Sequence, residues 1–368
     1  MKKKYDQLLI YIVLALLVIG WIMVYSSSAV VAKMTYNDSF KFLKKQLLFS
    51  LIGLIGMVTA MRIDYRRWSV WTYPILAASI LLLLVVLIPG LGLSLQVGVA
   101  RRWLVTPLFV FQPSELAKLA LVFFIAYALT KKGERIKEFA YGFLPIIIMA
   151  GIMIILVILE PDMGTAVFMG LLTVILLFIG GVRVSYLLAL PLMAAPGLYL
   201  FITRFPYAYR RLTAYLHPWE DMQGVGFQII QSFVALGSGG PWGVGLGDGK
   251  QKLFFLPAAH TDFILAILGE EAGFIGIAVL ILLFALLVWR GMRISLKTPD
   301  TFGAYLAIGI TAMIALQVII NMGVVLGLLP TKGLTLPFIS YGGTSLVANL
   351  VGVGILLNIS ARGEKNDG

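Results

Sequence analysis

The sequence predicts an all-α membrane protein: a polytopic bundle of about ten transmembrane helices, with a long extracytoplasmic loop before the eighth. Three observations carry this. Hydrophobic residues make up 60% of the 368 and charged residues only 12%, against roughly half and a quarter in a soluble domain. No charge occurs in 7–32, 46–61, 68–100, 139–159, 163–182, 184–203, 272–289, 301–331 or 333–361. Most of these blocks hold the roughly 20 residues that cross a bilayer.

The spans follow in order. The first, 8–28, is too long for a signal-peptide core and no small-residue cleavage site follows it, so it reads as retained. Spans 46–62 and 69–88 are separated by a short basic stretch, Arg62 to Arg67. Span 113–130 carries charge near one end: Pro113 suits its first turn, and Glu115 and Lys118, three apart, share a face. Spans 142–159 and 164–181 flank the acidic turn Glu160-Pro161-Asp162, where Asp162 is placed to cap the next helix. Span 185–203 leads into 204–262, far the longest connection. Spans 263–289, 303–328 and 343–360 complete the set. The eighth and ninth are long, and Gly303, Gly309 and Gly323 in the ninth allow close approach, a candidate seat for a partner helix.

Ten spans put both termini on one side. If that side is the cytoplasm, the inner segments carry Lys2–Lys4, Arg62, Arg66, Arg67, Lys131, Lys132, Arg135, Lys137, Arg183, Arg290, Arg293, Lys297, Arg362 and Lys365. These lie in short stretches, at higher density than the basic residues of the outer segments, which fits the positive-inside rule. The net charge of +12 then reflects topology and contact with anionic lipid. It is not a nucleic-acid footprint, because no soluble basic domain carries it. There is no cysteine, so nothing depends on a disulfide.

Three outer loops stand out: 89–112, 204–262 and 330–342. Long loops without a domain of their own usually carry function. Within 204–262, Arg204 to Arg211 is aromatic and basic, Gly224 to Ser232 reads as a short amphipathic helix on the membrane surface, and Ser238 to Gly249 as a glycine-rich turn region. No internal repeat appears, so 1–368 reads as one polytopic domain.

Ionisable residues within spans or at their edges are costly in hydrocarbon and point to function or to a paired structural role. Glu115 and Lys118 are either a self-neutralising pair that lets the helix insert or the wall of a headgroup cavity. Asp162 is either punctuation or part of a site. Asp262 stands where the polar loop enters the eighth span, within reach of both water and a lipid headgroup. Glu270 and Glu271 follow about two turns later, as a carboxylate ladder or as partners of a buried arginine. With only two histidines and no spaced partner for His260, a zinc site is not supported; His260 orients the loop or a substrate hydroxyl. Gly245-Leu-Gly-Asp-Gly249 lacks the strand-to-helix context of a nucleotide site. Nothing indicates a haem.

The string Phe255-Leu-Pro-Ala-Ala-His-Thr-Asp-Phe263, followed by Gly269-Glu-Glu271, resembles the SEDS proteins (shape, elongation, division and sporulation). So do Ala100-Arg-Arg-Trp103, Phe111-Gln-Pro-Ser-Glu115 with Lys118, Glu160-Pro-Asp-Met-Gly-Thr165, His217-Pro-Trp219 with Gly226-Phe-Gln228, Gly237-Ser-Gly-Gly240, and Leu336-Pro-Phe-Ile-Ser-Tyr-Gly-Gly343. The match runs nearly end to end and is most like the division and sporulation branch. One departure matters: members of that branch commonly have Glu where this chain has Ala258, so no second acid acts from that position here.

The resemblance implies a peptidoglycan glycosyltransferase that polymerises lipid II at the outer face of a bacterial plasma (inner) membrane. It maps the catalytic aspartate onto Asp262. A β-1,4 link made from an α-linked pyrophosphate donor inverts the anomeric carbon, so one base suffices, and a desolvated carboxylate is a stronger base than one in water. The leaving pyrophosphate needs positive charge, from Arg101, Lys118, Arg204, Arg210, Arg211 or a divalent cation, Mg or Mn. Glu115, Arg102, Asp162, His260, Thr261, Ser340 and Gly342 complete the substrate-binding candidates. The partners implied are a class B penicillin-binding protein transpeptidase and other division or elongation membrane proteins. Two other classes fit parts of the pattern, a lipid II flippase or transporter and a membrane scaffold. Against the first, the informative acids sit at span ends and not at the midplane where transporters bind. A scaffold leaves Asp262 and the long loop unexplained.

Overall fold

In a computed structural model the described residues are 5–88, 94–97, 100–105, 110–204, 206–220 and 224–363. They form twelve α-helices: α1 Gln7–Tyr36, α2 Lys41–Arg62, α3 Tyr65–Leu87, α4 Pro113–Lys132, α5 Leu144–Leu159, α6 Met163–Ile179, α7 Val184–Arg204, α8 Pro206–Leu216, α9 Val225–Gly239, α10 Ile264–Lys297, α11 Thr301–Val325 and α12 Gly343–Gly363. Among the described residues nine helical segments are long and apolar enough to cross a membrane, against the ten expected, and α6, at the place of the sixth expected span, is a shorter apolar helix. Several run past their apolar blocks. α1 continues to Tyr36 and α10 to Lys297, because hydropathy marks only the hydrocarbon layer, while backbone hydrogen bonding carries a helix on into the headgroup region. Past a break at Gly273, α10 runs unbroken over 274–297, about 36 Å and beyond the hydrocarbon thickness of about 30 Å.

Side-chain caps set many of the helix starts. Asp6 accepts from the Leu9 N–H, Asp64 from Arg66, Asp162 from Thr165 and Asp300 from Gly303. α4, α11 and α12 lie mostly inside the bundle. On α11 this overturns the partner seat expected at Gly303, Gly309 and Gly323. A Cβ at these positions would meet Tyr65, Val122 and Leu329 respectively, all in this chain. Those glycines serve packing within the bundle, whereas exposed Phe274, Val279 and Leu282 leave α10 a free apolar face.

The loop regions hold more structure than the sequence suggests. Segments Ser94–Val97 (β1), Ala100–Val105 (β2) and Val110–Phe111 (β3) pair antiparallel in the order β1-β2-β3. α9 covers the amphipathic stretch but does not lie free on the membrane. Its Ile229, Ile230, Ser232 and Ala235 are buried, and the Ser232 hydroxyl donates to the Val325 carbonyl at 2.8 Å. α10 is interrupted at Gly273, where φ is 64°, and the glycine-rich loop fills the break. The Val244 and Gly245 N–H groups donate to the Glu270 and Glu271 carbonyls at 3.0 and 3.1 Å. The Phe274 and Ile275 N–H groups donate to Gly240 and Pro241 at 2.9 and 3.2 Å. A Cβ on Gly243 or Gly273 would collide with backbone across this junction, so both positions require glycine.

Glu270 and Glu271 form no ladder into the bundle. Glu270 accepts from the Lys250 N–H at 2.7 Å and the Gln251 N–H at 3.2 Å. Glu271, with a fully buried side chain, binds Lys252 Nζ at 2.6 Å and the Ser26 hydroxyl at 2.7 Å. Its partner is therefore a loop lysine and not an arginine. Together the two acids fasten residues 250–252 to α10, which directs the rest of the loop toward Asp262.

Candidate active site

Asp262 closes the loop immediately before α10, and the buried Phe263 and Ile264 fix its position. On α11, Asn321 donates from Nδ2 to the Asp262 carbonyl at 2.9 Å and to the Leu334 carbonyl at 2.7 Å. This amide ties the Asp262 loop to the segment 331–335. Gly333 lies against the carboxylate: a Cβ there would stand 3.6 Å from Asp262 Oδ2. Burial raises the Asp262 carboxyl from 3.8 to about 6, opposed by the positive charge of Arg211 and assisted by the negative charge of Asp162, with Arg102 a further opposing charge.

Those neighbours come from three separate elements. Arg211, on α8, donates to the Thr331 carbonyl at 2.9 Å. Arg102, on β2, donates to the Glu160 and Pro161 carbonyls and stands 3.7 Å from Asp162 Oδ1. Asp162 caps α6, accepts from the Thr165 hydroxyl at 2.9 Å and from Gln112 Nε2 at 3.1 Å, and is buried. Asp162 thus caps α6 and also stands within the charge field of Asp262. Beside it, Glu160 is fully buried with neither carboxyl oxygen hydrogen-bonded among the described residues. Desolvation first, and then the charge of Asp162, push Glu160 to about 9, so it is neutral at pH 7. Lys332 lies over the start of α6: a Cβ on Gly164 would stand 3.3 Å from Lys332 Cβ. Burial lowers the Lys332 pKa. The result is a cluster of two carboxylates, Asp262 and Asp162, and two cations, Arg102 and Arg211, at one end of the bundle, with the start of the Lys332 side chain close by over α6. Cations beside a raised carboxylate suit proton abstraction next to an anionic leaving group.

Other predicted residues lie elsewhere. Glu115 and Lys118 pair at 2.8 Å inside the bundle, with side chains 9% and 2% exposed. Lys118 also lies 4.9 Å over the Phe168 ring and 3.5 Å from Gln317 Oε1. Direct contact with a headgroup would require this pair to open. Ser340 is buried, donates to the Thr261 carbonyl at 2.6 Å and accepts from the Leu336 N–H at 2.9 Å. The Thr261 hydroxyl donates to the Ala258 carbonyl at 3.2 Å. Both hydroxyls therefore staple loops together. Gly342, packed against Thr335, leads into α12. His260 lies against Phe42 and Tyr341, at ring distances of 4.6 and 5.8 Å, and burial lowers its pKa. Arg204 is exposed at the end of α7, and exposed Arg210 lines a separate cavity of about 370 Å³ with Tyr209, His217 and Glu220. The Arg101 side chain lies outside the described residues. No group of three potential metal ligands occurs among the described residues.

Sequence reasoning missed Lys332, Gln317, Asn321 and Lys252. Two signals were available. Lys332 is the only charge between 301 and 361, and Gln317 and Asn321 are polar residues four apart in an otherwise apolar span.

A bundle of about ten spans, with a desolvated carboxylate and convergent cations at one end, defines a polytopic membrane protein built to handle an anionic headgroup. Residues 6–365 match the Cell cycle protein family that groups FtsW, RodA and SpoVE, and the chain belongs to that family. It is 49% identical over 360 residues to the probable peptidoglycan glycosyltransferase FtsW of Geobacter metallireducens, covering 98% of this chain and 96% of that protein. It is 46% identical to the stage V sporulation protein E of Bacillus subtilis, covering 98% of each. Among solved structures it resembles a chain of a peptidoglycan synthase complex that coordinates polymerisation and crosslinking, with 30% identity, a TM-score of 0.80, and 98% and 99% of the two chains covered. It also resembles the rod shape determining protein RodA of Thermus thermophilus, with 27% identity, a TM-score of 0.71, and 97% and 96% covered.

Proposed function

We propose that this chain is a peptidoglycan glycosyltransferase that polymerises lipid II at the outer face of a bacterial plasma membrane, with both termini cytoplasmic. The observation that carries the reading is the raised carboxyl of Asp262 beside Arg211 and Arg102. Asp262 takes the proton of the acceptor sugar's 4-hydroxyl as that oxygen attacks the anomeric carbon of the donor. The bond to the pyrophosphate breaks with inversion, and Arg211, Arg102 and Lys332 stabilise the departing charge. The Glu115–Lys118 pair acts at a distance, holding Gln317, whose amide fixes Thr335. A Mg or Mn ion, if bound, would be held by Asp262 or Asp162 and would supply further neutralisation of the leaving group.

The relatives' names and the synthase complex support a class B penicillin-binding protein as partner. The free outer half of α10, around Phe274, Val279 and Leu282, is the seat left open for its single helix. Other division or elongation membrane proteins remain partners of the same kind. Purified chain, with and without the transpeptidase, is incubated with lipid II and the products are sized on a gel. Glycan ladders are expected. Transfer of lipid II across a vesicle bilayer without any polymer would replace this reading with the flippase.

A further inference from the structure

At the end of α10 remote from Asp262, Arg290, Arg293 and Lys297 recur three and four residues apart and so share one stripe of the helix. The stripe walls a cavity of about 470 Å³, whose other walls include Tyr5 and Asp6 at the start of α1 and Ser360 near the end of α12. One cation is neutralised: Asp6 Oδ2 lies 2.6 Å from Arg290 Nη2 and accepts from Nε at 2.8 Å. That carboxylate is itself anchored, since it accepts from the Leu9 N–H at 3.1 Å and its own backbone N–H donates to Ser360 Oγ at 3.2 Å. Arg293 rests 5.6 Å from the centre of the Trp289 ring. Among the described residues neither Arg293 nor Lys297 makes an ion pair. The cavity therefore has a fixed floor and two cations that make no ion pair among the described residues.

Its flanks are apolar. On α10, Trp289, Met292 and Leu296 are exposed, Leu296 at 87%, and on α1 so are Leu8 and Tyr11. A small soluble anion would use the charges and leave these flanks idle. An amphiphile with a phosphate head uses both, and basic pockets between helix ends are where anionic headgroups bind. We propose that this cavity binds the phosphodiester of an anionic phospholipid of the phosphatidylglycerol class. Arg293 and Lys297 hold the phosphate, and the acyl chains lie along α1 and α10. The inference is independent of the polymerase reading and of which leaflet faces the cavity.

The full chain in detergent is titrated by native mass spectrometry with phosphatidylglycerol or phosphatidylcholine of matched acyl chains. Phosphatidylglycerol is expected to bind at least about tenfold more tightly. The double variant Arg293→Gln with Lys297→Gln should lose roughly thirtyfold for the anionic lipid, with its melting temperature unchanged because both side chains are exposed. The charge-preserving pair Arg293→Lys with Lys297→Arg should retain binding. Equal affinity for the two lipids, or an unaffected double variant, overturns the proposal. Displacement by inorganic phosphate beyond that of chloride at equal ionic strength assigns the site to a soluble phosphate and overturns it as well.

Discussion

Asp262→Asn is expected to make the protein more stable and inactive at once. The wild-type carboxyl titrates at about 6 in the fold and at 3.8 in the unfolded chain. A carboxyl raised in this way binds protons more tightly when folded, so its ionisation costs stability as pH rises. Between the two values the cost grows to about 3 kcal/mol and stays there above pH 7. Near pH 5 about half of it remains, and below about pH 3 none does. The amide keeps the shape without the charge, so at pH 7.5 the variant should melt a few degrees above the wild type. That gap should close steadily as the buffer is taken to pH 4. Polymerisation should fall by about 10²–10⁴-fold, the usual loss when a general base is removed. The wild-type rate should rise through pH 6 as the carboxylate forms. Melting curves across pH and lipid II polymerisation on gels give both readouts. A variant that melts lower at pH 7.5, or that polymerises within tenfold of wild type, refutes the assignment of a desolvated base.

Three further outcomes follow from buried pairs and topology. Lys252→Met leaves Glu271 buried and uncompensated and should cost about 3–5 kcal/mol, most of it restored when Glu271→Gln is added; equal losses in the single and double variants would deny the pairing. Lys118→Met should destabilise in the same way, and with Glu115→Gln the chain should recover its melting temperature and polymerise within about tenfold of wild type, whereas a stable but inactive double variant would put the pair in the substrate path. For orientation, cysteine at Trp242, 80% exposed, should react with an impermeant maleimide on intact cells and cysteine at Glu134, with a side chain 91% exposed, should not; labelling at Glu134 inverts the topology.

The spans were readable because a bilayer imposes one strong rule, about 20 apolar residues per crossing, that needs no knowledge of neighbours. Local geometry was readable too: Asp162 three residues before Thr165, and Glu115 three before Lys118, each predict a contact within one helix turn. The cluster around Asp262 was only partly visible. Arg102 and Arg211 could be nominated by residue type, but type alone did not separate them from Arg204 and Arg210. The separation depends on where β2 and α8 pack, which is tertiary. Adjacent Arg210 and Arg211 point differently because α8 presents one to Thr331 and the other to a second cavity. The loop contacts of Ser340 and Thr261 were hidden for a related reason. A hydroxyl in a motif loop looks like a substrate contact, yet loops that enter a bundle must satisfy their own carbonyls first.

That requirement also explains how the candidate base is positioned. A loop at the edge of the bilayer has little water to accept its backbone bonds. Here α11 supplies the donors. Gln317 and Asn321, one turn apart and both buried, deliver amide hydrogens to Thr335, Leu334 and Asp262. Gln317 turns its oxygen to Lys118, whose charge Glu115 balances. The polar residues of α4 and α11 thus form one connected chain from the interior to the backbone of Asp262. Because that chain holds the Asp262 carbonyl, the carboxylate is left to face Gly333 and Arg211. The candidate base sits on a loop, but its position is set by two of the most buried helices in the protein.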